Sequence, residues 1–415
     1  MRPSRLLIQC PGVPHASKGA SSVLFYHYTA ALKQAGFTIL NVLFLDPEAD
    51  DAADLAAYRE QMAGENFQIE VCRAGPLVRR TWGGFELVES SVQPAVAAAR
   101  VFAPQTIFCL DLTCAWLARL VPGVARVVWL GDLNFQTTWH HAVCKAKEDP
   151  RALLRLPSAW KKARQWRRGY ARVLAGAAQV IVSSHSSVQA MRELGIASVY
   201  YPYPWPASST PAAVALPADG VPTFLFCGTL NALGSKSALL FLLQKLYPQL
   251  TALWGEGRFR LFIAGRGKPP AWTRQAMAKK PEIQFLGFVG DLDALMARCH
   301  AMIVPIDIPV GNRSRIITAM AGGWLVVAHR FVSETNPALV DGATCLLADD
   351  APSFAAQMRV AVEQPARMAE IITRARQCYL DNFAPGPACR LLLVELDRVL
   401  AAAAINRVDT APKNP

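Results

Sequence analysis

The stretch Ala301–Arg330, AMIVPIDIPVGNRSRIITAMAGGWLVVAHR, constrains the fold of this chain more than any other. Met302–Ile306 and Leu325–Ala328 are apolar runs of strand length, and Ile316–Ala321 between them has helical character. A strand–loop–helix–strand unit of this kind belongs in a parallel sheet. It places the loop Pro309–Ser314 at the sheet's carboxyl edge, where open α/β sheets bind ligands. Gly311 and Asn312 offer backbone N–H groups at the helix start, and Arg313 and Arg315 add fixed positive charge. The expectation is a phosphate-bearing ligand.

The same alternation recurs on both sides of a proline-rich break. Tyr200–Pro222 contains six prolines separated by small residues, a composition that favours an extended linker. Before it, Arg5–Cys10, Thr38–Leu45, Thr106–Asp111, Ala125–Leu130 and Val180–Ser184 read as strands, with a helix from about Val23 to Gln34 closed by Gly36. After it, Thr223–Phe226, Arg260–Ala264 and Ile283–Gly287 are strands, with helices over Ser237–Leu246 and Leu292–Cys299. Residues 133–158 carry little periodicity and are expected to form a mobile loop, with a basic helix, Lys161–Leu174, after them. A chain of 415 residues exceeds one ordinary core. The expected division is an N-terminal Rossmann-like domain over 1–206, a linker over 207–221, a second such domain over 222–385, a terminal helix over 386–403 and a tail over 404–415. Two doubly wound α/β domains joined in this way are expected to face each other across a cleft.

Composition narrows the partners. A net charge of +12 implies an acidic one: a nucleotide, a phospholipid surface or a nucleic acid. No nucleic-acid-binding signature is present, which makes nucleic acid the weakest of the three. The ten cysteines contain no CxxC pair, and Cys10, Cys109, Cys227 and Cys345 sit in or beside apolar runs. They read as small buried hydrophobes of a reducing compartment, with no zinc site. No apolar run reaches membrane-spanning length. The expected location is the cytoplasm, with contact at the inner face of a membrane left open.

At this point the C-terminal half is recognisable. FLFCGTLNALGSKSALLFLLQKLYPQL, LFIAGRG, IQFLGFVGDLDALMARCHAMIVPI and GNRSRIITAMAGGWLVVAH occur in order. Over roughly residues 222–382 they resemble the C-terminal domain of GT-B glycosyltransferases of the large retaining family 4 group. The resemblance implies transfer of a sugar from a nucleotide sugar to a glycan or lipid-linked acceptor hydroxyl, in polysaccharide or glycoconjugate synthesis. It implies no metal or other cofactor.

Carried over by position, Gly228 and Thr229 match the turn after the domain's first strand. Lys236 falls near the residue that helps hold the donor diphosphate, and Arg315 stands where many relatives have a lysine. Phe288 and Val289 match the turn that meets the base, and Gly311 the glycine near sugar and phosphates. Asn312, Arg313 and Arg266 complete the expected donor side. Relatives carry two glutamates at the positions of Val310 and Thr318. A threonine hydroxyl still hydrogen-bonds a ribose, less strongly than a carboxylate, whereas valine bonds nothing. Asp307, Asn312 or Glu334 substituting, a different donor chemistry, and weakened or lost activity all remain open. With them stands the alternative of a non-catalytic GT-B protein that binds a nucleotide or glycan, or partners another transferase.

Catalysis is assigned to Lys236 and Arg315, which stabilise the departing diphosphate, and to Asp132, which follows a strand and orients or deprotonates the acceptor. A loop cap is the plain alternative for Asp132. His15 and Gly19, in the first loop, are expected on the acceptor side. Asp291 and Asp293 resemble a DxD pair but sit at a helix start, where capping explains them better. His140 and His141 are weak metal candidates.

Overall fold

The computed structural model describes residues 4–75, 77–81, 84–207, 219–311 and 313–409. The chain divides into two units, one of residues 1–135, 160–206 and 385–415, the other of residues 136–159 and 207–384.

The first unit holds β1 (Arg5–Cys10), β2 (Thr38–Leu45), β3 (Phe67–Arg73), β4 (Val78–Arg80), β5 (Phe85–Leu87), β6 (Thr106–Leu110), β7 (Ala125–Leu130), β8 (Gln179–Val182) and β9 (Val199–Tyr200). Seven of these form one sheet in the order β3-β2-β1-β6-β7-β8-β9, every pair parallel; β4 and β5 make a separate antiparallel hairpin. Central strands read as unbroken apolar runs because helices cover both faces. One face buries Leu7, Ile107, Val128 and Val182, the other Leu6, Ile8, Phe108 and Val127. The terminal helix covers Pro385–Asp409, beyond the expected 386–403, and its Leu392 and Leu396 enter the core of this first unit.

The second unit holds β10 (Thr223–Cys227), β11 (Arg260–Ala264), β12 (Ile283–Gly287), β13 (Ala301–Val304), β14 (Val326–His329) and β15 (Leu346–Ala348), in the order β12-β11-β10-β13-β14-β15, all parallel. Strand order reverses between β1 and β6 in the first sheet and between β10 and β13 in the second. Those reversal points are where doubly wound sheets open a crevice at their carboxyl ends. The opening stretch of the sequence therefore lies on the second switch point, with its helix at Ser314–Gly322.

Residues 133–158 are not a loop. They form a helix, Asn134–Glu148, and a 3-10 turn, Pro150–Arg155, and the basic helix begins earlier than expected, covering Leu156–Leu174. The periodicity is faint because most positions of the Asn134–Glu148 helix are only half-buried. Residues 136–159 pack with the second unit, although they precede the linker in the chain. Most of that linker, 208–218, lies outside the described residues, as does Asn312. The ten cysteines are free, and nine are buried.

Candidate functional site

Two glycine turns meet at the switch point of the second sheet. Gly228 follows β10 at φ +153°, and Gly265 follows β11 at φ +149°. A Cβ on Gly265 would stand 1.7 Å from the Gly228 carbonyl oxygen, so the two backbones fit only as glycines. A Cβ on Gly228 would stand 2.6 Å from Arg315 Nη2. The Arg315 guanidinium therefore lies directly against the turn.

Arg315 comes from the second position of the Ser314–Gly322 helix. Its Nη2 donates to Ser235 Oγ at 3.1 Å, and the guanidinium lies 5.2 Å from the Phe226 ring centroid. Its Nη1 is shut off from solvent and has no hydrogen-bond partner among the described residues. Burial pushes the guanidinium's pKa down, and no carboxylate stands among the groups that act on it. A buried cation without a counter-charge is a costly arrangement.

The surroundings add positive potential. The Leu233–Phe241 helix and the Ser314–Gly322 helix both start at this edge, and neither has a side-chain cap at its N-terminus. Their first N–H groups favour an anion. Lys236, in the first turns of the Leu233–Phe241 helix, is half-buried and forms no ion pair among the described residues. Arg266 stacks over Phe288 at 4.5 Å, and Phe288 is 63% exposed, so the pair forms an open platform beside the Gly265 turn. Thr229 is exposed and Val289 partly so. Gly311, at φ +93°, is buried in its loop.

Other expected donor-side residues are placed differently. Arg313 turns inward: it is 8% exposed and donates from Nη2 to the Ile308 carbonyl at 2.9 Å, bracing its own loop. The Thr318 hydroxyl donates back to the Ser314 carbonyl at 3.1 Å. Val310 is 3% exposed, so its side chain faces the interior. Asp307 is committed to holding elements together. It accepts from Ser237 Oγ and pairs with Lys147 at 3.6 Å and Lys245 at 3.7 Å.

The Lys147 contact shows what the sequence concealed. His140, Cys144 and Lys147 lie on one face of the Asn134–Glu148 helix, which docks on the second unit at Asp307. Burial lowers the pKa of both His140 and His141; Lys147 and Arg313 depress His140 further, and Lys236 depresses His141. Both imidazoles are therefore held neutral, close to the cations of the donor side. No group of three or more His, Cys, Asp or Glu residues suited to a metal gathers among the described residues. Asp291 caps the Leu292–Met296 helix, accepting from the Ala294 N–H at 2.8 Å.

In the first unit, a cavity of about 320 Å³ opens at the carboxyl edge, lined by Pro11, Asp46, Ala74, Leu77 and Thr113 among others. A larger one, about 540 Å³, lies by Arg119, Arg126 and Gly176 at the sheet's amino edge, away from this chemistry. His15 anchors its own loop: Nδ1 accepts from the Ser17 and Lys18 N–H groups at 3.0 Å each, and Nε2 lies 3.8 Å from Asp54. Gly19 supplies a left-handed turn, φ +77°. Asp132 is exposed after β7. The carboxylate that sequence reasoning missed is Asp111, after β6 at the switch point. It has φ +135°, in a region that side-chain-bearing residues rarely occupy, and it accepts from the Leu112 N–H. Burial raises its pKa to about 6, although that hydrogen bond opposes the shift. A single Asp after a strand carries no sequence signal for this state.

Residues 221–364 match the family described as Glycosyl transferases group 1. The matched segment lies within the second unit. Solved structures extend the likeness to nearly the whole chain. Sucrose-phosphate synthase from Thermosynechococcus elongatus superposes with a TM-score of 0.67 at 18% identity, covering 96% of this chain and 100% of its own. A glycosyltransferase from Rickettsia africae gives 0.67 at 14%, covering 96% and 99%. Anabaena HepE, solved in complex with UDP-glucose, gives 0.62 at 15%, covering 95% and 99%. No curated protein matches the chain. The fold is GT-B, and the matched segment holds the glycine turns, Lys236 and Arg315.

Proposed function

We propose that this protein is a glycosyltransferase that moves a sugar, with retention of configuration, from a nucleotide sugar to an acceptor hydroxyl in polysaccharide or glycoconjugate synthesis. The observation that carries the reading is Arg315: a guanidinium packed against Gly228, with Nη1 shut off from solvent and neither a hydrogen-bond partner nor an acting carboxylate among the described residues. A donor diphosphate supplies the missing counter-charge. Anabaena HepE, which binds UDP-glucose, makes a uridine donor the first to test.

In this reading the diphosphate lies over the Gly228–Thr229 turn, held by Arg315, Lys236 and the two uncapped helix starts. The base rests on the Phe288–Val289 turn beside Arg266. Gly311 borders the sugar, and Thr318 is the residue assigned to the ribose. Transfer breaks the bond between the anomeric carbon and the phosphate oxygen, and the electron pair leaves with the diphosphate. The acceptor oxygen bonds to the anomeric carbon from the same face, and its proton passes to the departing phosphate oxygen. Fixed cations stabilise the charge that develops, so no metal is required. Acceptor recognition falls to the first unit, where His15 and Gly19 shape the first loop and Asp132 and Asp111 offer carboxyl groups. The acceptor is a glycan, lipid-linked or free.

Thermal-shift titration with UDP, GDP and their sugars, followed by donor hydrolysis and transfer assays, tests this. Stabilisation by a nucleoside diphosphate with turnover supports it. No stabilisation by any nucleotide overturns it.

A further inference from the structure

No helix among the described residues is long and apolar enough to cross a membrane. One helix is nonetheless shaped for a membrane surface. Between Pro150 and Arg192 the sequence has no Asp or Glu and nine Lys or Arg residues, most of the chain's net charge of +12. At the centre of this segment is the Leu156–Leu174 helix.

Its two faces are sharply divided. Gln165, Gly169, Tyr170, Val173 and Leu174 are buried, and Trp166 stacks on Phe85 at 3.7 Å. At about 100° per residue, Trp160, Lys161, Arg164 and Arg168 fall together on the opposite face, and all four are exposed. Trp160 is 56% exposed, with the Arg164 guanidinium 5.4 Å from its ring. No carboxylate pairs with Arg164 or Arg168 among the described residues; Glu193 takes the neighbouring Arg167 at 3.3 Å. The 3-10 turn leading into the helix leaves Leu154 88% and Leu153 54% exposed. Large apolar side chains on the surface of a segment this cationic gain nothing from water. They suit the headgroup boundary, where an indole buries its ring and cations meet lipid phosphates.

We infer that the Trp160–Arg168 face of this helix docks the protein on an anionic phospholipid bilayer. This deepens the lipid-linked version of the acceptor given above, because a docked enzyme meets such an acceptor at the surface where it is displayed. The docking itself is independent of the donor site. Charge selects the occupant: a cationic stripe with protruding indole and leucine side chains matches an anionic, apolar-backed surface.

Co-sedimentation of the full chain with vesicles tests it. We expect binding to phosphatidylcholine–phosphatidylglycerol vesicles, little binding to phosphatidylcholine alone, and weakening as salt rises. Each basic contact near an anionic surface contributes about a fivefold change in affinity. Lys161→Glu, Arg164→Glu and Arg168→Glu combined should therefore lower binding at least a hundredfold, on the order of that sum. Trp160→Ala should weaken binding at fixed charge. All four side chains are exposed, so the variants should unfold at the wild-type temperature. No sedimentation with anionic vesicles, binding that survives the triple charge reversal, or binding to nucleic acid in preference to vesicles overturns the inference. The nucleotide-induced thermal shift, measured on the same variants, separates the two readings. Its absence in the wild-type protein refutes the donor site and leaves the vesicle result standing.

Discussion

Replacing Arg315 with methionine should move stability and ligand affinity in opposite directions. Methionine keeps an unbranched apolar stem over Phe226 and removes the guanidinium. Without ligand, that group makes one hydrogen bond, 3.1 Å to Ser235 Oγ, worth about 1 kcal/mol. Against it stands a desolvated charge with Nη1 unpartnered. An uncompensated buried ion costs several kcal/mol. The balance favours the variant by about 1–3 kcal/mol, and each kcal/mol raises Tm by about 2–4 °C in a unit of this size. With a diphosphate bound the sign reverses. Truncating one partner of a buried, hydrogen-bonded charge pair costs about 2–5 kcal/mol, so affinity for UDP should fall at least about thirtyfold. Affinity for uridine, which has no phosphate, should barely change. Scanning fluorimetry without ligand, with calorimetric titration of UDP and uridine, reads all three quantities. A lower Tm together with an unchanged ratio of UDP to uridine affinity would refute the reasoning and make Arg315 a structural cation.

Three other perturbations test neighbouring parts of the argument. Asp307→Ala removes the acceptor of Ser237 and the partner of the half-exposed Lys147 and Lys245, and should destabilise the protein by about 1–2 kcal/mol in urea unfolding; no loss would mean that Asp307 does not hold the Asn134–Glu148 helix. Val310→Glu restores a carboxylate to the position where relatives carry one, but into a site only 3% exposed. It should cost more than about 2 kcal/mol of stability and yield no gain in transfer. Asp111 has a folded pKa raised to about 6 from 3.8. Its folded form holds a proton that the unfolded form releases, so its favourable contribution is complete below about pH 4 and is lost as pH rises to about 6. Asp111→Asn, compared with wild type in unfolding experiments between pH 4 and 7, should flatten that decline and be the more stable at pH 7; parallel profiles would place the Asp111 carboxyl in water.

Much of the fold was legible because buried parallel strands announce themselves. β1, β2, β6, β7, β10, β11 and β13 are covered on both faces, so their sequences are largely apolar runs, with Gln9 and Asn41 the buried polar interruptions in β1 and β2. The β4–β5 hairpin was not legible, since strands of three residues carry no period. The Asn134–Glu148 helix failed for a related reason: half-buried positions blur the pattern, and its partner, Asp307, is remote in sequence.

The site divides along the same line. Residue type and order alone placed Gly311 and Arg315 at the carboxyl edge of a parallel sheet, because a strand–loop–helix unit delivers its loop to one side; the family resemblance added Gly228 and Lys236 to the expected donor side. Orientation was decided only in three dimensions. Arg313 and Arg315 are two residues apart and chemically identical, yet one bonds the Ile308 carbonyl of its own loop while the other lies against the Gly228 turn and bonds Ser235 Oγ. Likewise, Asp132 and Asp111 both follow strands, but Asp132 is exposed whereas Asp111 is half-buried at the switch point with φ +135°. Sequence specifies which groups arrive at an edge. Whether each meets water, a carbonyl of its own loop or a side chain from another element is set by the packing around it, which residue type does not reveal.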